Sequence, residues 1–558
     1  MKRYSFLLFV FAIVCITACN KCGEEKAQPQ VLVEKPEMIN EEVSKLLTEK
    51  LKDIDSTKTI VILKDSLITT QLLNAFYIQN KFSVTWTDKG LLNKQGDTLF
   101  SILKNAGEYG LIPSDYNLTN IDQLLKTKQD SATKKFDALK ICEADLLLTD
   151  AYIKFLVHVS KGRLNADSLT LEWHPEKLDT NIVQLVNFAI KQNKIYETID
   201  SLEPRNDQYK RIKLALKTFK NDYKDCEWDS LASRESDSTT FNERIKKRLI
   251  ASHDYFDEFT GSDSIKLIKS IKNFQCRHNL TEDGKVGKLT FKAMQATKED
   301  NIRQLEMNLE RWRWYEAPKG RQYVWVNIPK FEMKVIEKDT LVMKSRVITG
   351  APDHQTPLLK STIRYFLIYP YWTVPFSIAT KEILPILKRD TSYLRRKHFE
   401  VLGAGNTPID PSTIKWKRYS KTYFPWKLRQ QIGDDNSLGI LKFNFDNKYG
   451  VYMHDTDNRR LFGREMRALS HGCVRLDKFF DFAKFLVRDD SVKYPVDSLK
   501  ADLGREQQKY VYAKRPITIY INYFTNEVDE YNEIHFFIDV YKRDEKMLRS
   551  IKKEKKKS

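Results

Sequence analysis

Cys473 sits in the run Ser470-His471-Gly472-Cys473-Val474-Arg475, and His454 lies nineteen positions earlier, within Tyr452-Met453-His454-Asp455-Thr456. A thiol and an imidazole are the groups that acyl transfer needs. The thiolate is the reactive form, and a free thiol of pKa about 8.5 is only partly ionised at neutral pH. An imidazole can take its proton and later return it to a leaving amine. Gly472 lets the chain turn sharply beside the nucleophile, so that successive backbone N–H groups converge on one point as an oxyanion hole. Removing one such donor costs about 3 kcal/mol of transition-state stabilisation, so backbone shape matters here as much as side chains.

Other chemistries use the same residue types. A buried structural cysteine is the bland reading of His-Gly-Cys. His454, His471 and Cys473 could ligate zinc, but the short C-x-x-C or H-x-x-x-H pairs common in such sites are missing. In papain-like peptidases the nucleophile precedes its histidine, the reverse of the order here. Neither a metal nor a cofactor is expected.

These residues must be held by the elements around them. Val324, Val326 and Ile328 alternate with Tyr323, Trp325 and Asn327, and Phe331, Met333 and Val335 continue the alternation of a half-buried strand. A β-rich domain is expected over 321–545, with strands resuming at 440–454, 517–524 and 534–541. Within it, residues 376–436 read as an insertion. From Lys388 to Arg429 it holds eleven Lys and Arg against three acidic residues, with Trp416, Tyr419, Tyr423, Phe424 and Trp426 interleaved. Such a composition suits a cap over an acidic substrate and equally a solvated surface insertion.

Upstream, 19–65 reads as a flexible tether and 66–247 as an α-helical scaffold. Residues 106–113 and 160–165 read as turns and core. Residues 298–320 read as a linking helix, its helical spacing of Ile302, Leu305, Leu309 and Trp312 running from Asn301 to Trp314, and 546–558 as a basic tail whose end, Lys552 to Lys557, is disordered. Between 248 and 297, Phe274-Gln275, Leu280, Asp283-Gly284, Val286-Gly287 and Thr290 punctuate two helical runs. That pattern resembles the small three-helix peptidoglycan-binding domain.

The segment around Cys473 resembles the active-site signature of the L,D-transpeptidases, the YkuD-type catalytic domain: an upstream His, then Ser/Thr-His-Gly-Cys, then Asn or Arg two residues on. The likeness extends to the large YcbB-like subgroup through Asn308-Leu309-Glu310-Arg311-Trp312-Arg313-Trp314, Val326-Asn327-Ile328-Pro329, Arg346-Val347-Ile348-Thr349-Gly350, Pro370-Tyr371-Trp372-Thr373-Val374-Pro375 and Ile383-Leu384-Pro385. The resemblance implies a multidomain α+β chain whose β-sandwich catalytic domain carries a basic cap. It makes Cys473 the nucleophile and His454 the base. The backbone of His471, Gly472 and Cys473 would bind the oxyanion, with Ser470 and Arg475 holding the loop. A backbone carbonyl of Asp455 or Thr456 would orient the base, and Tyr452 and Trp372 would line the cleft. The implied reaction attacks the amide before the terminal D-alanine of a peptidoglycan tetrapeptide stem. It passes the thioester to another stem's amine as a 3→3 cross-link, and the thiol is open to acylation by carbapenems. Transfer to water, an L,D-carboxypeptidase activity, and an idle wall-binding lipoprotein remain the alternatives.

The N-terminus sets the compartment. Lys2 and Arg3 precede an uncharged run, Phe6 to Ala18, which is too short to span a bilayer but suits a signal peptide. It ends in Ile16-Thr17-Ala18-Cys19, which resembles a lipobox and makes Cys19 the lipidation site of an envelope lipoprotein. Export removes nucleic acid as a partner for the net charge of +19. Anionic wall polymer or lipid headgroups take its place. Cys142 falls in an apolar helical pattern as a buried hydrophobe.

Overall fold

The computed structural model describes residues 30–554, apart from 53–59, 64, 68, 129–134, 167–180, 227, 229–230, 232–237, 316–317, 319, 491 and 496. The expected signal peptide and lipidation site, Cys19, lie outside the described residues. The chain divides into two compact units: Met1–Asn105, Ile112–Leu156 and Thr180–Ser201 form one, and the remainder forms the other.

The first unit is helical, with Thr70–Gln79, Lys94–Lys104, Leu118–Lys126 and Ile182–Lys191 among its helices. Its buried carboxylate, Asp145, accepts from the Tyr77 hydroxyl at 2.6 Å and the Trp86 N–H at 2.8 Å. Burial pushes that carboxyl up to about 6. The presumed tether needs correcting. Pro36–Leu51 is a helix whose Ile39, Val43, Leu47 and Leu51 are buried. Four apolar residues at four-residue spacing make a core-facing stripe, and the Glu/Lys-rich composition around them belongs to its outer face.

In the second unit, α1 (Ser238–Ala251), α2 (Asp263–Arg277) and α3 (Lys288–Met294) close over Ile245, Leu249, Ile271, Phe274 and Met294. The module's first helix thus begins ten residues before the expected start at 248. Gln275 explains the motif spacing. Its amide donates to Asp283 Oδ1 at 2.8 Å, to the Lys285 carbonyl at 2.9 Å and to Thr290 Oγ1 at 3.2 Å, and its oxygen accepts from Gly284 N–H at 2.9 Å. One buried side chain therefore ties α2 to the turn and to the start of α3.

Helix α4 (Lys298–Trp314) opens with a capping box between Thr297 and Asp300 and ends at Trp314, where the helical spacing ends. Asn308, Glu310, Arg311 and Arg313 are buried on it together with Leu305, Leu309 and Trp312. The Leu164 N–H donates to Glu310 at 2.6 Å. Arg311 pairs with Asp544 of α5 (Arg543–Glu554). That pairing corrects the expected basic tail, since α5 also buries Met547 and has Ile551 only 8% exposed.

The β-rich domain comprises β1 (Gln322–Asn327), β2 (Glu332–Glu337), β3 (Thr340–Gly350), β4 (Leu359–Ile368), β5 (Leu441–Phe445), β6 (Met453–His454), β7 (Ala468–Ser470), β8 (Val474–Leu476) and β9 (Lys509–Asn522). Their pairing order is β7-β3-β8-β6-β5-β4-β9-β1-β2, and β2 also pairs with β3. The long strand β3 meets β2 through residues 340–346 and β8 through Val347 and Ile348, so the pairing closes on itself around one core.

Between β4 and β5 the basic insertion folds as a subdomain. Trp372–Thr373, Phe399–Leu402, Pro408–Ile409 and Lys427–Gln430 form a four-stranded antiparallel sheet. Leu384, Leu387, Trp416, Phe424 and Leu428 lie in its own core. Its charges are the outer surface of a packed body.

Gln275→Leu leaves the Gly284 N–H and the Lys285 carbonyl without their partner, a loss of about 2 kcal/mol. Native-state hydrogen exchange of α2 is expected to accelerate roughly thirty-fold, and an unchanged exchange rate would contradict this account of the motif.

Candidate active site

Strand β6 runs parallel to β8, with Met453 opposite Val474 and His454 opposite Arg475. On its other side β5 runs antiparallel, with Phe443 opposite Met453 and Lys442 opposite His454. Side chains alternate across a sheet. Met453, Phe443 and Val474 all point into the core, so the alternate positions share the opposite face. Tyr452, His454, Cys473, Arg475 and Lys442 accordingly line one groove of about 760 Å³. His454 and Cys473 stand two residues and one strand apart, on the same face.

Between β7 and β8 the chain makes the turn that Gly472 permits, at φ +111°. Ser470 Oγ donates to the Cys473 carbonyl at 2.5 Å and accepts from the Gly472 N–H at 3.1 Å. The Gly472 N–H is thereby engaged, whereas the Cys473 N–H has no acceptor among the described residues. Thr356 braces the turn from behind: its hydroxyl donates to the Gly472 carbonyl at 2.8 Å and accepts from the Gly350 N–H at 2.8 Å. Tyr541 completes the brace, its hydroxyl accepting from the Thr356 N–H and donating to the Gly350 carbonyl at 2.7 Å.

His454 is buried, and its imidazole is held down at about 3 by that burial and by the cations Arg475 and Lys442. Backbone groups of Asp455 and Leu438 act the other way on the ring without prevailing. Imidazole is therefore the resting form. The Asp455 carboxylate is clamped by Arg459 at 2.7 and 3.0 Å and by the Ile440 N–H at 3.1 Å. Gly439, at φ +61°, lies so close that a Cβ there would stand 2.3 Å from Asp455 Oδ2. Leu438, the residue before Gly439, turns its backbone toward the His454 ring.

The Cys473 thiol is half-buried, and burial pushes its pKa up. The Tyr452 backbone and hydroxyl, and then Lys442 and Arg475, oppose the rise. Tyr452 and Trp372 line the same groove as Cys473, and the Tyr452 hydroxyl acts on the Cys473 sulfur, so both expected cleft aromatics lie on the wall that holds the thiol. Arg475 reaches the Thr456 hydroxyl at 3.3 Å, so it ties β8 to the segment after the base. The His471 side chain points elsewhere and meets Glu382 of the cap at 2.7 Å. Glu382 lies in a π-helical turn, Ala379–Ile383, at the groove wall.

Lys442, Thr356, Glu382 and Tyr541 escaped the sequence reading. Lys442 alone left a trace, as a cation set between the inward-facing Leu441 and Phe443. Among the described residues Asp529, Glu533 and His535 approach one another closely enough to share a cation. None of them lines the groove, and Asp529 already accepts from the N–H groups of Tyr531 and Glu533.

Residues 321–496 match the family model of the L,D-transpeptidase catalytic domain, 243–294 a model described as "Putative peptidoglycan binding domain", and 71–216 a scaffold domain. A protein of Haemophilus influenzae named "Putative L,D-transpeptidase" is 35% identical over 194 residues, 35% of this chain and 39% of that relative. The chain thus matches about two fifths of the relative's length. A crystal structure of an L,D-transpeptidase from Stackebrandtia nassauensis overlaps at 18% identity and TM-score 0.20, covering 50% of this chain and 90% of that one. So low a score lends the fold no support.

Thr356→Val removes the brace and leaves two buried backbone groups unpaired, which destabilises by about 1–3 kcal/mol; thermal unfolding should shift down accordingly. With a raised thiol and a neutral imidazole, alkylation of Cys473 by iodoacetamide should keep accelerating as pH rises past about 8.5. A rate already level below pH 7 would mean a preformed thiolate–imidazolium pair, against the geometry described.

Proposed function

We propose, from a chain that carries an L,D-transpeptidase catalytic domain and a peptidoglycan-binding module, that it forms 3→3 cross-links between peptidoglycan stems. The observation that carries this reading is the grouping of Cys473, His454 and Tyr452 on one sheet face, at the floor of a groove with room for a peptide.

His454, neutral at rest, takes the thiol proton as the Cys473 sulfur attacks the carbonyl carbon of the third stem residue. The developing oxyanion is met by the free Cys473 N–H and by the Tyr452 hydroxyl, donors that are in place before the reaction starts. Collapse breaks the C–N bond, the imidazolium proton passes to the departing D-alanine nitrogen, and a thioester remains on Cys473. An acceptor stem's side-chain amine then attacks the thioester and loses its proton to His454. The new amide forms and the thiol is regenerated. Arg475 and Lys442 favour a neutral imidazole as the base and lower the energy of the thiolate. A carbapenem presents a strained amide to the same sulfur, so acylation of Cys473 belongs to this reading. So do export to the cell envelope and a lipid anchor at Cys19. Among the described residues no helix is long and apolar enough to cross a membrane.

Purified protein incubated with disaccharide-tetrapeptide should yield, by mass spectrometry, a dimer lacking one D-alanine. Cys473→Ala should abolish it, and His454→Ala should slow it by about 10²- to 10⁴-fold. Trimmed tripeptide alone would replace cross-linking with hydrolysis, and no product at all would overturn both.

A further inference from the structure

Lys442 has no carboxylate partner. Its ammonium lies 3.9 Å from the centre of the Tyr452 ring, and no hydrogen bond or ion pair holds it among the described residues. It is half-buried on the groove floor, in the cross-strand row that continues through His454 to Arg475. Lys381 and Lys397 also line the groove but are exposed, and its one carboxylate, Glu382, is engaged by His471. The groove therefore offers an excess of positive charge, and, with Arg475 bonded to the Thr456 hydroxyl, Lys442 is its half-buried cation without a hydrogen-bonded partner among the described residues. The Tyr452 ring face compensates such a charge only in part.

We propose that Lys442 is a specificity-determining residue that binds the free C-terminal carboxylate of the donor stem, the carboxylate of the residue that leaves. The inference rests on the transpeptidase reading above and adds to it the group by which the enzyme measures the end of its donor. Attack on the last amide of a peptide places that carboxylate one residue, about 3.8 Å of chain, beyond the scissile carbonyl. Cys473 enters β8 and Lys442 lies on β5, two strand spacings across and two residues along, or about 12 Å apart at the backbone. The lysine's flexible four-carbon stem lets the ammonium adjust to a carboxylate one residue beyond the carbonyl that Cys473 attacks. As the C–N bond breaks, the amine takes its proton from His454 while the carboxylate stays ion-paired and unchanged. A longer stem, or one ending in an amide, would present a neutral group to a half-buried ammonium, and in that environment the missing charge counts for more than in water.

Binding separates this claim from catalysis. Full-length protein carrying Cys473→Ala is titrated calorimetrically with a tetrapeptide stem ending in D-alanine and with its C-terminal amide. The acid is expected to bind about tenfold more tightly than the amide. Adding Lys442→Met should bring the two within about twofold, and Lys442→Arg should restore the preference. With Cys473 present, K442M should raise KM for the acid donor more than it lowers kcat. Equal binding of acid and amide before Lys442 is changed, no binding of either, or a preference that survives in a folded K442M protein would each overturn the proposal. Carboxylate-dependent binding without any product from the Cys473-intact chain would instead sink the transpeptidase reading and leave Lys442 as a carboxylate anchor.

Discussion

The site depends on the parallel pairing of two very short strands. Met453–His454 lies beside Val474–Leu476 with His454 opposite Arg475. Alternation then sends Met453 and Val474 into the core and turns Tyr452, His454 and Cys473 toward the groove. A slip of one residue in either strand would bury the reactive groups and expose the apolar ones. Burial of Met453, Phe443 and Val474 is thus what holds the chemistry in register. Packing and function are one constraint here.

The turn that delivers Cys473 is held from two sides. In front, Ser470 engages both Gly472 and Cys473 backbone groups. Behind, Thr356 and Tyr541 join Gly472 to Gly350 at the end of β3. Tyr541 is bonded through its own N–H to the Tyr523 hydroxyl, and Asp544, three residues on, pairs with Arg311 of α4. The C-terminal segment therefore braces the loop, which gives a physical reason for its helical order despite its basic composition.

Electrostatically, two cations flank the base, and burial acts on base and nucleophile alike. The result is a neutral pair at rest. The same cations favour negative charge in the groove, on the Cys473 sulfur among other groups. The cap adds the opposite wall through Trp372 and Glu382, and its private core makes that wall a firm one.

Cys473, His454 and the loop residues were legible because their types and spacing leave few chemistries open. Tyr452 and Trp372 were legible only as neighbours of that motif. The module's Phe-Gln, Asp-Gly and Thr punctuation was readable as well, because one glutamine must bond all the turn's groups and so fixes their spacing. Local signals misled where a contact from afar decides the outcome. The stretch 36–51 and the tail from 543 are charged and look solvated, yet each carries a stripe of apolar residues that a distant surface buries. Thr356, Tyr541, Glu382 and Lys442 are ordinary residues in sequence and acquire roles only when strands and cap bring them to the loop or the groove. The amino-acid sequence alone determined which groups can react, because nucleophilicity and basicity belong to residue types. Tertiary structure decided which of them meet, how far burial shifts their protons and which charge is left without a partner, since those depend on register and solvent exclusion that only the folded chain creates.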